Sequence, residues 1–454
     1  MKFLCRLHLE STAKAAFLAA ALTMGGWSQT FTTIWNFNEA ETSSYPEPPL
    51  VQWIDGSLYG TTGDTFFSIT PDGVFKTLYS FYCDVGPAAG PTLATNGQFY
   101  DTTYRCFGGA YSSSVFTITS TATLTTIYPG GLQWGNSFAP LIQASDGNFY
   151  GTTYDAGANG EGSVFSVTPK GSLVTLHSFN GTDGSFPATA VLEGLDGNFY
   201  GTTINGGAGG KGTIFRLTPE GGLATLHSFS GPDGVGPSTA LIQAKNGDFY
   251  GATEGGGTSD CQCGTVFEMT PAGAFRTLHQ FTGADGRSPT GLMQANDGNF
   301  YGSTNSGGEI LCSLGCGTVF KMMPSGKLET LHGFNLSDGR GPGQLMQFTD
   351  GTLYGTTYYG GTHNDGTVFT LSVGLGPFVT TLPNAGPIGR LVRILGTNLT
   401  GVSRVSFNGT AAAFTVVSGT EITTSVPSGA TTGSVEVVTS AGVLTSNPVF
   451  RVTN

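Results

Sequence analysis

Four histidines occupy one position of a repeated Leu-His-x-Phe segment: His177, His227, His279 and His332. Histidine is a common metal ligand and general base, so their shared position raises the question of a site. A metal or catalytic site would need the four rings to converge on one point. Equivalent positions of a ring-like repeat are instead spread around the ring. We therefore expect each histidine to be a half-buried strand residue that makes a local hydrogen bond.

Four carboxylates lie in the Asp-Gly loops that follow these segments, at Asp183, Asp233, Asp285 and Asp338. A lone carboxylate per loop falls short of the six to eight oxygens that a calcium ion takes. A turn-forming role is therefore favoured, and we predict no metal and no cofactor. If the loops gather on one face, however, they form an acidic rim, so we keep them as candidate ligand-face loops.

Cysteines offer a second kind of chemistry, because six of the seven lie beyond the N-terminal segment. They are Cys83, Cys106, Cys261, Cys263, Cys312 and Cys316. The last four could form a zinc site of the Cys-x-Cys and Cys-x3-Cys type. An even number in an exported chain favours disulfides instead. We expect Cys83 to pair with Cys106, whereas the pairing among the other four stays open.

Enzyme signatures are missing from the sequence. It contains no G-x-S-x-G, no H-E-x-x-H and no Walker motif. A catalytic residue should also break the repeat, since a site is made once. Glu254 and Arg105 do so, but neither has an evident partner, and we predict no catalytic residue.

The candidate residues are positioned by a repeat whose most regular segment reads DGNFYGTT. It occurs at 146–153 and 196–203, and related segments follow at 246–253, 297–304 and 350–357. The anchoring tyrosines of seven copies are Tyr59, Tyr100, Tyr150, Tyr200, Tyr250, Tyr301 and Tyr354. Each unit has four short strand-like runs separated by Asp-Gly, Gly-Gly or Thr-Pro-x-Gly turns. Four short strands per unit predict propeller blades, and hence an all-β fold with a seven-bladed β-propeller.

The paired aromatics of each unit are predicted to be packing residues. Neighbours on a strand point to opposite faces, and a blade between two others buries both faces. The predicted structural core consists of Phe149, Tyr150, Phe165, Phe199, Tyr200, Phe215, Phe249, Tyr250, Phe267, Phe300, Tyr301, Phe320, Tyr354 and Phe369.

The two ends of the repeat region predict how the ring closes. No Leu-His-Ser-Phe segment follows the seventh GTVF segment at 366–369, but a matching strand, TTIWNF, opens the region at 32–37. We expect 32–37 to pair beside 366–372 and complete the last blade. Closure of this kind removes exposed sheet edges.

Composition and charge set the remaining boundaries. Basic residues precede an apolar run at 15–24, which predicts a signal peptide over residues 1–29. The repeat region spans 30–375, and the Val/Thr-rich alternation of 376–454 predicts a small β-sandwich. The formal net charge of −12 is diffuse, which argues against nucleic acid and anionic membranes as partners. No later stretch is a predicted membrane span, so the protein is expected in the periplasm or outside the cell.

Two resemblances accompany this interpretation. Residues 30–372 resemble the GloVer tandem-repeat proteins of environmental bacteria, through the DGNFYGTT, GTVF and LHSF segments. That family is defined by its repeat and export and has no established activity, so the resemblance implies location rather than chemistry. The aromatic repeat is also similar to propeller repeats of bacterial two-component sensors. Residues 377–454 look like a TIG/IPT domain, which implies an immunoglobulin-like spacer or adhesion module.

The function expected from the sequence is therefore a secreted, non-catalytic propeller. It would bind an unknown extracellular ligand, carbohydrate or protein, or mediate a surface interaction. The alternative is an extracellular polysaccharide lyase or glycosidase that uses the propeller face. Two carboxylates about 5–10 Å apart in a central pocket would favour the glycosidase.

Overall fold

The computed structural model describes residues 29–81, 85–105, 113–130, 136–137, 139–308, 312 and 314–453. The signal peptide predicted for residues 1–29 lies outside these ranges except for Gln29. The predicted pair of Cys83 and Cys106 also lies outside the described residues.

The described part of the repeat region folds into seven antiparallel sheets of four or five strands. The chain starts with β1 (Thr30–Asn36) and one helical turn, α1 (Glu39–Thr42). The first sheet contains β2 (Pro46–Gln52), β3 (Leu58–Thr62), β4 (Thr65–Ile69) and β5 (Phe75–Ser80). The second contains β6 (Val85–Pro87), β7 (Thr92–Leu93), β8 (Phe99–Arg105), β9 (Val115–Ile118) and β10 (Leu124–Tyr128).

The next three sheets repeat the same order of strands. The third contains β11 (Ile142–Gln143), β12 (Phe149–Thr153), β13 (Ser163–Val167) and β14 (Leu173–Ser178). The fourth contains β15 (Leu192–Glu193), β16 (Phe199–Thr203), β17 (Thr213–Leu217) and β18 (Leu223–Ser228). The fifth contains β19 (Val235–Pro237), β20 (Ile242–Gln243), β21 (Phe249–Gly255), β22 (Thr265–Met269) and β23 (Phe275–Gln280).

The last two sheets complete the repeat region. The sixth contains β24 (Arg287–Gln294), β25 (Phe300–Ser306), β26 (Thr318–Met322) and β27 (Leu328–Gly333). The seventh contains β28 (Arg340–Pro342), β29 (Met346–Gln347), β30 (Leu353–Tyr359) and β31 (Thr367–Ser372), with β1 as its outer strand. The predicted pairing of the N-terminal strand is confirmed, because β1 runs antiparallel to β31 from Thr30 opposite Ser372 to Asn36 opposite Thr367.

Asp-Gly turns start the central strand of most sheets. In the third sheet, Asp146 accepts a hydrogen bond from the backbone N–H of Asn148 at 2.9 Å and another from the Tyr150 hydroxyl at 2.9 Å. Gly147 adopts a φ of +89°, which only glycine reaches without strain. The turn and the buried tyrosine are therefore fixed by one carboxylate.

One hydrophobic cluster fills each seam between successive sheets, and another fills the seam between the seventh sheet and the first. In five seams a tyrosine of one sheet lies over a phenylalanine of the next. The ring centroids of Tyr150 and Phe199, for example, are 4.0 Å apart, and those of Tyr200 and Phe249 are 4.1 Å apart. The structure buries all the aromatic residues predicted as core.

A glutamine on the short inner strand joins neighbouring sheets at five of these seams. In the fifth sheet, the Gln243 side-chain oxygen accepts the backbone N–H of Leu195 at 2.8 Å, and its amide donates to the Gly247 carbonyl at 2.8 Å. Each glutamine thus binds a turn of the preceding sheet. The equivalent residues are Gln52, Gln143, Gln294 and Gln347.

Residues after 375 form a separate β-sandwich. One sheet contains β32 (Thr380–Leu382), β34 (Leu391–Leu395), β37 (Phe414–Val416) and β38 (Glu421–Ser425); β33 (Ala385–Pro387) pairs with β41 (Arg451–Thr453). The other contains β35 (Arg404–Phe407), β36 (Thr410–Ala412), β39 (Val435–Thr439) and β40 (Gly442–Thr445). Its core includes Ile394, Phe407 and Val437, all buried.

This C-terminal domain packs on one end of the seven sheets. We call it the turn end, defined by the turns 53–57, 94–98, 144–148, 194–198, 244–248, 295–299 and 348–352. Asn447 donates to the Gln294 carbonyl at 2.9 Å, and the backbone N–H of Phe378 donates to the Thr349 carbonyl at 3.0 Å. The opposite end, where β12 and β30 finish, is the loop end. In the part of the chain that the structure describes, no helix is long and apolar enough to cross a bilayer.

Candidate functional site

A cavity lies between the inner strands of the sheets and the C-terminal domain. Its volume is about 340 Å³, and a neighbouring cavity of about 500 Å³ continues it among the inner strands. Ile142, Met293, Gln344 and Asn447 line both. Ligand sites are commonly found at such domain boundaries.

The cavity wall follows from the inner strands. The residue before each inner glutamine is mostly apolar, and Ile142, Ile242 and Met293 lie on the wall at this position. The glutamine itself is engaged with the preceding sheet, as described above for Gln243. The strands therefore present these apolar side chains to the cavity, and the glutamines that also line it have their amides engaged in joining the sheets. The C-terminal domain adds Val449 and the polar side chain of Asn447 to the wall.

Two inner strands depart from the glutamine pattern: Leu93 lies at that position of the second sheet, and Glu193 lies there in the fourth. The Glu193 carboxylate accepts the backbone N–H of Ser145 at 2.8 Å and the Ser145 hydroxyl at 2.6 Å, so the sheet contact is kept. Arg451 of the C-terminal domain donates to the same carboxylate and to the Ser145 hydroxyl. The repeat sequence therefore changes from glutamine to glutamate at the position that binds Arg451 of the C-terminal domain.

A cation stands at the rim of the cavity. Lys245 lines it and has no ion pair among the described residues. Burial lowers the pKa of Lys245, and the nearby charge of Asp297 opposes that change. An apolar wall with an ammonium at its rim suits a small molecule that has a hydrocarbon body and an acidic or polar end.

The four predicted ligand-face carboxylates are placed elsewhere, and they do not meet. Each pairs with the histidine of its own segment: Asp183 Oδ2 lies 2.9 Å from His177 Nε2. The other oxygen of Asp183 accepts the backbone N–H of Asn180 at 3.0 Å. Asp233, Asp285 and Asp338 repeat this arrangement with His227, His279 and His332.

These carboxylates close their own loops. Burial by itself would raise the pKa of Asp285, but hydrogen bonds from His279 and Thr282 outweigh it, so the pKa is lowered. A carboxylate saturated in this way has little capacity left for a ligand. Within the described residues, no three His, Cys, Asp or Glu side chains cluster as a metal site would require.

Four of the cysteines are bonded locally. Cys261 pairs with Cys263 and Cys312 pairs with Cys316, with Cα–Cα distances of 5.2 and 5.4 Å. Each pair lies in a loop between two strands of its own sheet. The connectivity that the sequence left open is therefore within segments rather than between them, and these four sulfurs are not thiolates for zinc.

Sequence reasoning missed two carboxylates near the loop end. Asp101 stands where six other units have the glycine of the Phe-Tyr-Gly segment, and Glu47 lies on β2. Burial raises the pKa of Asp101 well above its ordinary value, and Glu47 raises it further against a hydrogen bond from Thr102. Burial also raises the pKa of Glu47 to about 7. The sequence signal that could have identified Asp101 is its replacement of the repeat glycine. Glu254, which also departs from the repeat, is exposed at the end of β21.

Two protein-family models match the chain. Residues 86–310 and 258–413 match the model of the Gloeobacter/Verrucomicrobia repeat, and residues 377–452 match that of the IPT/TIG domain. No curated protein matches the sequence significantly.

Several solved structures are similar to this chain at low sequence identity. The extracellular domain of a protein described as a hybrid two-component system from Bacteroides thetaiotaomicron is 11% identical, with a TM-score of 0.51 over 92% of this chain and 58% of that chain. A protein of unknown function from the same organism is 12% identical, with a TM-score of 0.45 over 76% of each chain. A fungal alcohol oxidase in complex with copper is 12% identical, with a TM-score of 0.46 over 94% of each chain. At these identities the first likeness shows the fold alone.

Proposed function

This chain belongs to the Gloeobacter/Verrucomicrobia repeat family and ends in an IPT/TIG domain, and we propose that it is an exported, non-catalytic interaction protein. Its ligand is a small amphipathic molecule held in the cavity between the repeat region and the IPT/TIG domain. The observation that most supports this proposal is that both domains line the cavity, with apolar side chains from each and with Lys245 at the rim.

The repeat region, residues 30–375, is proposed to be a closed seven-bladed propeller. The pairing of β1 with β31 supports closure, as does the hydrophobic cluster between the seventh and first sheets. The Gln52 side chain also receives the backbone N–H of Thr349 at 3.0 Å across that seam. The same glutamine contact joins sheets elsewhere, so the last seam is built like the others.

Export is supported by the cysteines and the N-terminal sequence. Disulfides such as Cys261–Cys263 form and persist in oxidising compartments. The basic and apolar N-terminal segment predicts a signal peptide. We therefore place the mature protein in the periplasm or outside the cell, with neither nucleic acid nor a membrane span among its contacts.

The IPT/TIG domain, residues 376–454, is proposed to act as a wall of the binding site. The sequence suggested a spacer or adhesion module. A domain tied to the sheets through Arg451, Asn447 and Phe378 is positioned rigidly, which suits a wall better than a flexible spacer.

The lyase or glycosidase alternative would require two carboxylates that both reach one open pocket. Glu47 and Asp101 are the coupled pair of acids, but Asp101 is only 1% exposed. Of these two acids only Glu47 can meet a ligand, so the pair does not supply both acids of a glycosidase, and we favour binding over hydrolysis.

A dye titration tests the proposal. The fluorescent probe 8-anilinonaphthalene-1-sulfonate combines an apolar body with an anion, as the cavity requires. We expect saturable binding of one probe per chain, lost when Ile242→Trp fills the cavity. The matched control, Val174→Trp, adds the same ring on an outer strand and should bind like the wild type. Equal binding by both variants, or no binding by the wild type, would reject the site.

A further inference from the structure

Asp101 occupies a position at which glycine is otherwise a steric requirement. In the fourth sheet, a Cβ atom added at Gly201 would lie 2.5 Å from the ring of Phe215, and at Gly302 it would lie 2.5 Å from Phe320. The same holds at Gly60, Gly151, Gly251 and Gly355, with ring contacts of 2.5–2.7 Å. Only the second sheet carries a larger side chain at this position, and that side chain is an acid.

The Asp101 carboxylate is poorly satisfied. One oxygen accepts the backbone N–H of Thr102 at 2.7 Å, whereas the other is buried and has no partner among the described residues. Buried polar atoms without partners are costly, and their presence calls for an explanation. Local rules are broken in proteins mainly at functional positions. The exception at Asp101 therefore indicates a site in this seam.

Glu47 faces the same seam from the first sheet. It lies opposite Thr61 on β3, and the Thr61 hydroxyl donates to the Ala89 carbonyl at 2.7 Å. The neighbouring Ala88 N–H donates to the Thr102 carbonyl at 2.9 Å, which brings Glu47 beside the strand of Asp101. Glu47 is partly exposed, so it links the buried acid to the surface.

Three tyrosines lie next to Glu47 at the loop end. Tyr45 stacks on Tyr358 with ring centroids 4.9 Å apart, and Tyr359 meets both edge-on at 5.4 and 4.8 Å. Tyr358 and Tyr359 are each 38% exposed. Burial raises the pKa of Tyr358, and the charge of Glu47 raises it further, which reflects their proximity.

The three tyrosines are positioned by a left-handed backbone conformation at Tyr45 and by neighbouring charged side chains. Tyr45 has a φ of +59°, in the left-handed region that non-glycine residues rarely adopt. Its backbone N–H donates to the Asp365 carbonyl at 3.1 Å. The Arg340 guanidinium lies 5.6 Å from the Tyr359 ring centroid. Asp64 accepts from Ser43 just before the group, and Asp365 accepts the backbone N–H of Glu39.

We propose that Tyr45, Tyr358, Tyr359 and Glu47 form a second binding site, for a neutral saccharide, near the buried acid Asp101. The exposed parts of the Tyr358 and Tyr359 rings suit the apolar C–H face of a sugar, and the carboxyl group suits its hydroxyls. Because the rings pack directly on one another, they leave no gap between them for a cation. The site lies at the loop end, on the far side of the sheets from the IPT/TIG domain.

Glu47 contributes through its own proton. Burial raises the pKa of Glu47 to about 7, so below that pH its carboxyl group carries a proton that can be donated to a sugar hydroxyl. Saccharide affinity should therefore fall as the pH rises through about 7, where Glu47 loses its proton. Replacing Glu47 by glutamine should abolish this fall, because the amide remains a hydrogen-bond donor at every pH.

Calorimetric titration with maltohexaose, cellohexaose, mannohexaose and xylohexaose tests the proposal on the full mature chain. We expect at least one to bind, with affinity reduced tenfold or more by Tyr358→Ala and by Glu47→Ala. Tyr359→Ala serves as the second variant if Tyr358→Ala is unstable. Glu220→Ala, at an exposed turn, is the matched control and should leave binding unchanged.

The pH profile completes the test. Wild-type affinity should decline between pH 6 and pH 8.5, and the decline should be absent in Glu47→Gln. The proposal is overturned if none of the four sugars binds, or if Tyr358→Ala, Tyr359→Ala and Glu47→Ala all bind as the wild type does. A decline that persists in Glu47→Gln would remove Glu47 from the site.

Discussion

Arg451 of the IPT/TIG domain donates to the carboxylate of Glu193 on the fourth sheet, and the two side chains are only 12% and 14% exposed. Their ion pair joins the two parts of the chain at the wall of the cavity. Because both charges are largely removed from water, each depends on the other for its stabilisation.

Arg451→Met should therefore destabilise the protein by about 3 kcal/mol, because it leaves the Glu193 carboxylate buried without its cation. Glu193→Gln restores the residue that other inner strands carry and also removes the pair. Urea unfolding of both single variants and of the double variant measures the coupling. If the losses of unfolding free energy in the two single variants add up to the loss in the double variant, Arg451 and Glu193 do not stabilise each other, and the ion pair does not join the domains.

Gln243→Met should lower the unfolding free energy by about 1–3 kcal/mol, because it removes one hydrogen bond between the fourth and fifth sheets and another within the fifth sheet, while keeping most of the volume. The accepting bond comes from the Leu195 N–H at 2.8 Å. Urea midpoints check the change. An unaltered midpoint would mean that the inner glutamines do not hold the sheets together.

Tyr200→Ala should cost about 3–5 kcal/mol, because the ring is buried between the fourth and fifth sheets over Phe249. The variant should nonetheless bind the anilinonaphthalene probe as the wild type does once the folded fraction is taken into account. If melting is unchanged and probe binding is lost, the repeated aromatics are a binding array and the packing account is wrong.

Asp101→Gly should stabilise the protein at neutral pH by about 1–3 kcal/mol, because it removes a buried acid with an unpartnered oxygen and restores the repeat glycine. Thermal unfolding at pH 7 gives the comparison. A loss of stability would mean that Asp101 has a structural partner.

Glu47→Gln should flatten the pH dependence of stability. The pKa of Glu47 is raised to about 7 in the folded protein, above its ordinary value near 4.3. The folded state therefore binds the proton more tightly, and this contribution is complete below about pH 4.3 and is lost as the pH rises through about 7. Urea unfolding at pH 5, 6, 7 and 8 measures the slope, which should stay unchanged in the exposed control Glu220→Gln. Equal slopes in the wild type and Glu47→Gln would contradict the assignment.

The strands of the seven sheets could be predicted from the sequence, because each strand pattern recurs in up to seven copies. A weak pattern in one copy can therefore be recognised from the others. The pairing of β1 with β31 was also predictable, since one missing strand matched one surplus strand. The inner glutamines recur visibly in the repeat, but the sequence does not show that each one hydrogen-bonds to a turn of the preceding sheet. Arg451 could not be predicted to meet Glu193, because the two residues are 258 positions apart in different domains.

Hydrogen–deuterium exchange with and without the anilinonaphthalene probe tests most directly whether both domains line the ligand site. We predict that bound probe protects the inner strands around Ile142, Leu192, Ile242 and Met293 together with the IPT/TIG segment 447–451, which line the same cavity. Protection should be lost in Ile242→Trp and kept in Val174→Trp. Protection confined to outer strands or to one domain, or no protection at saturating probe, would contradict a site between the domains.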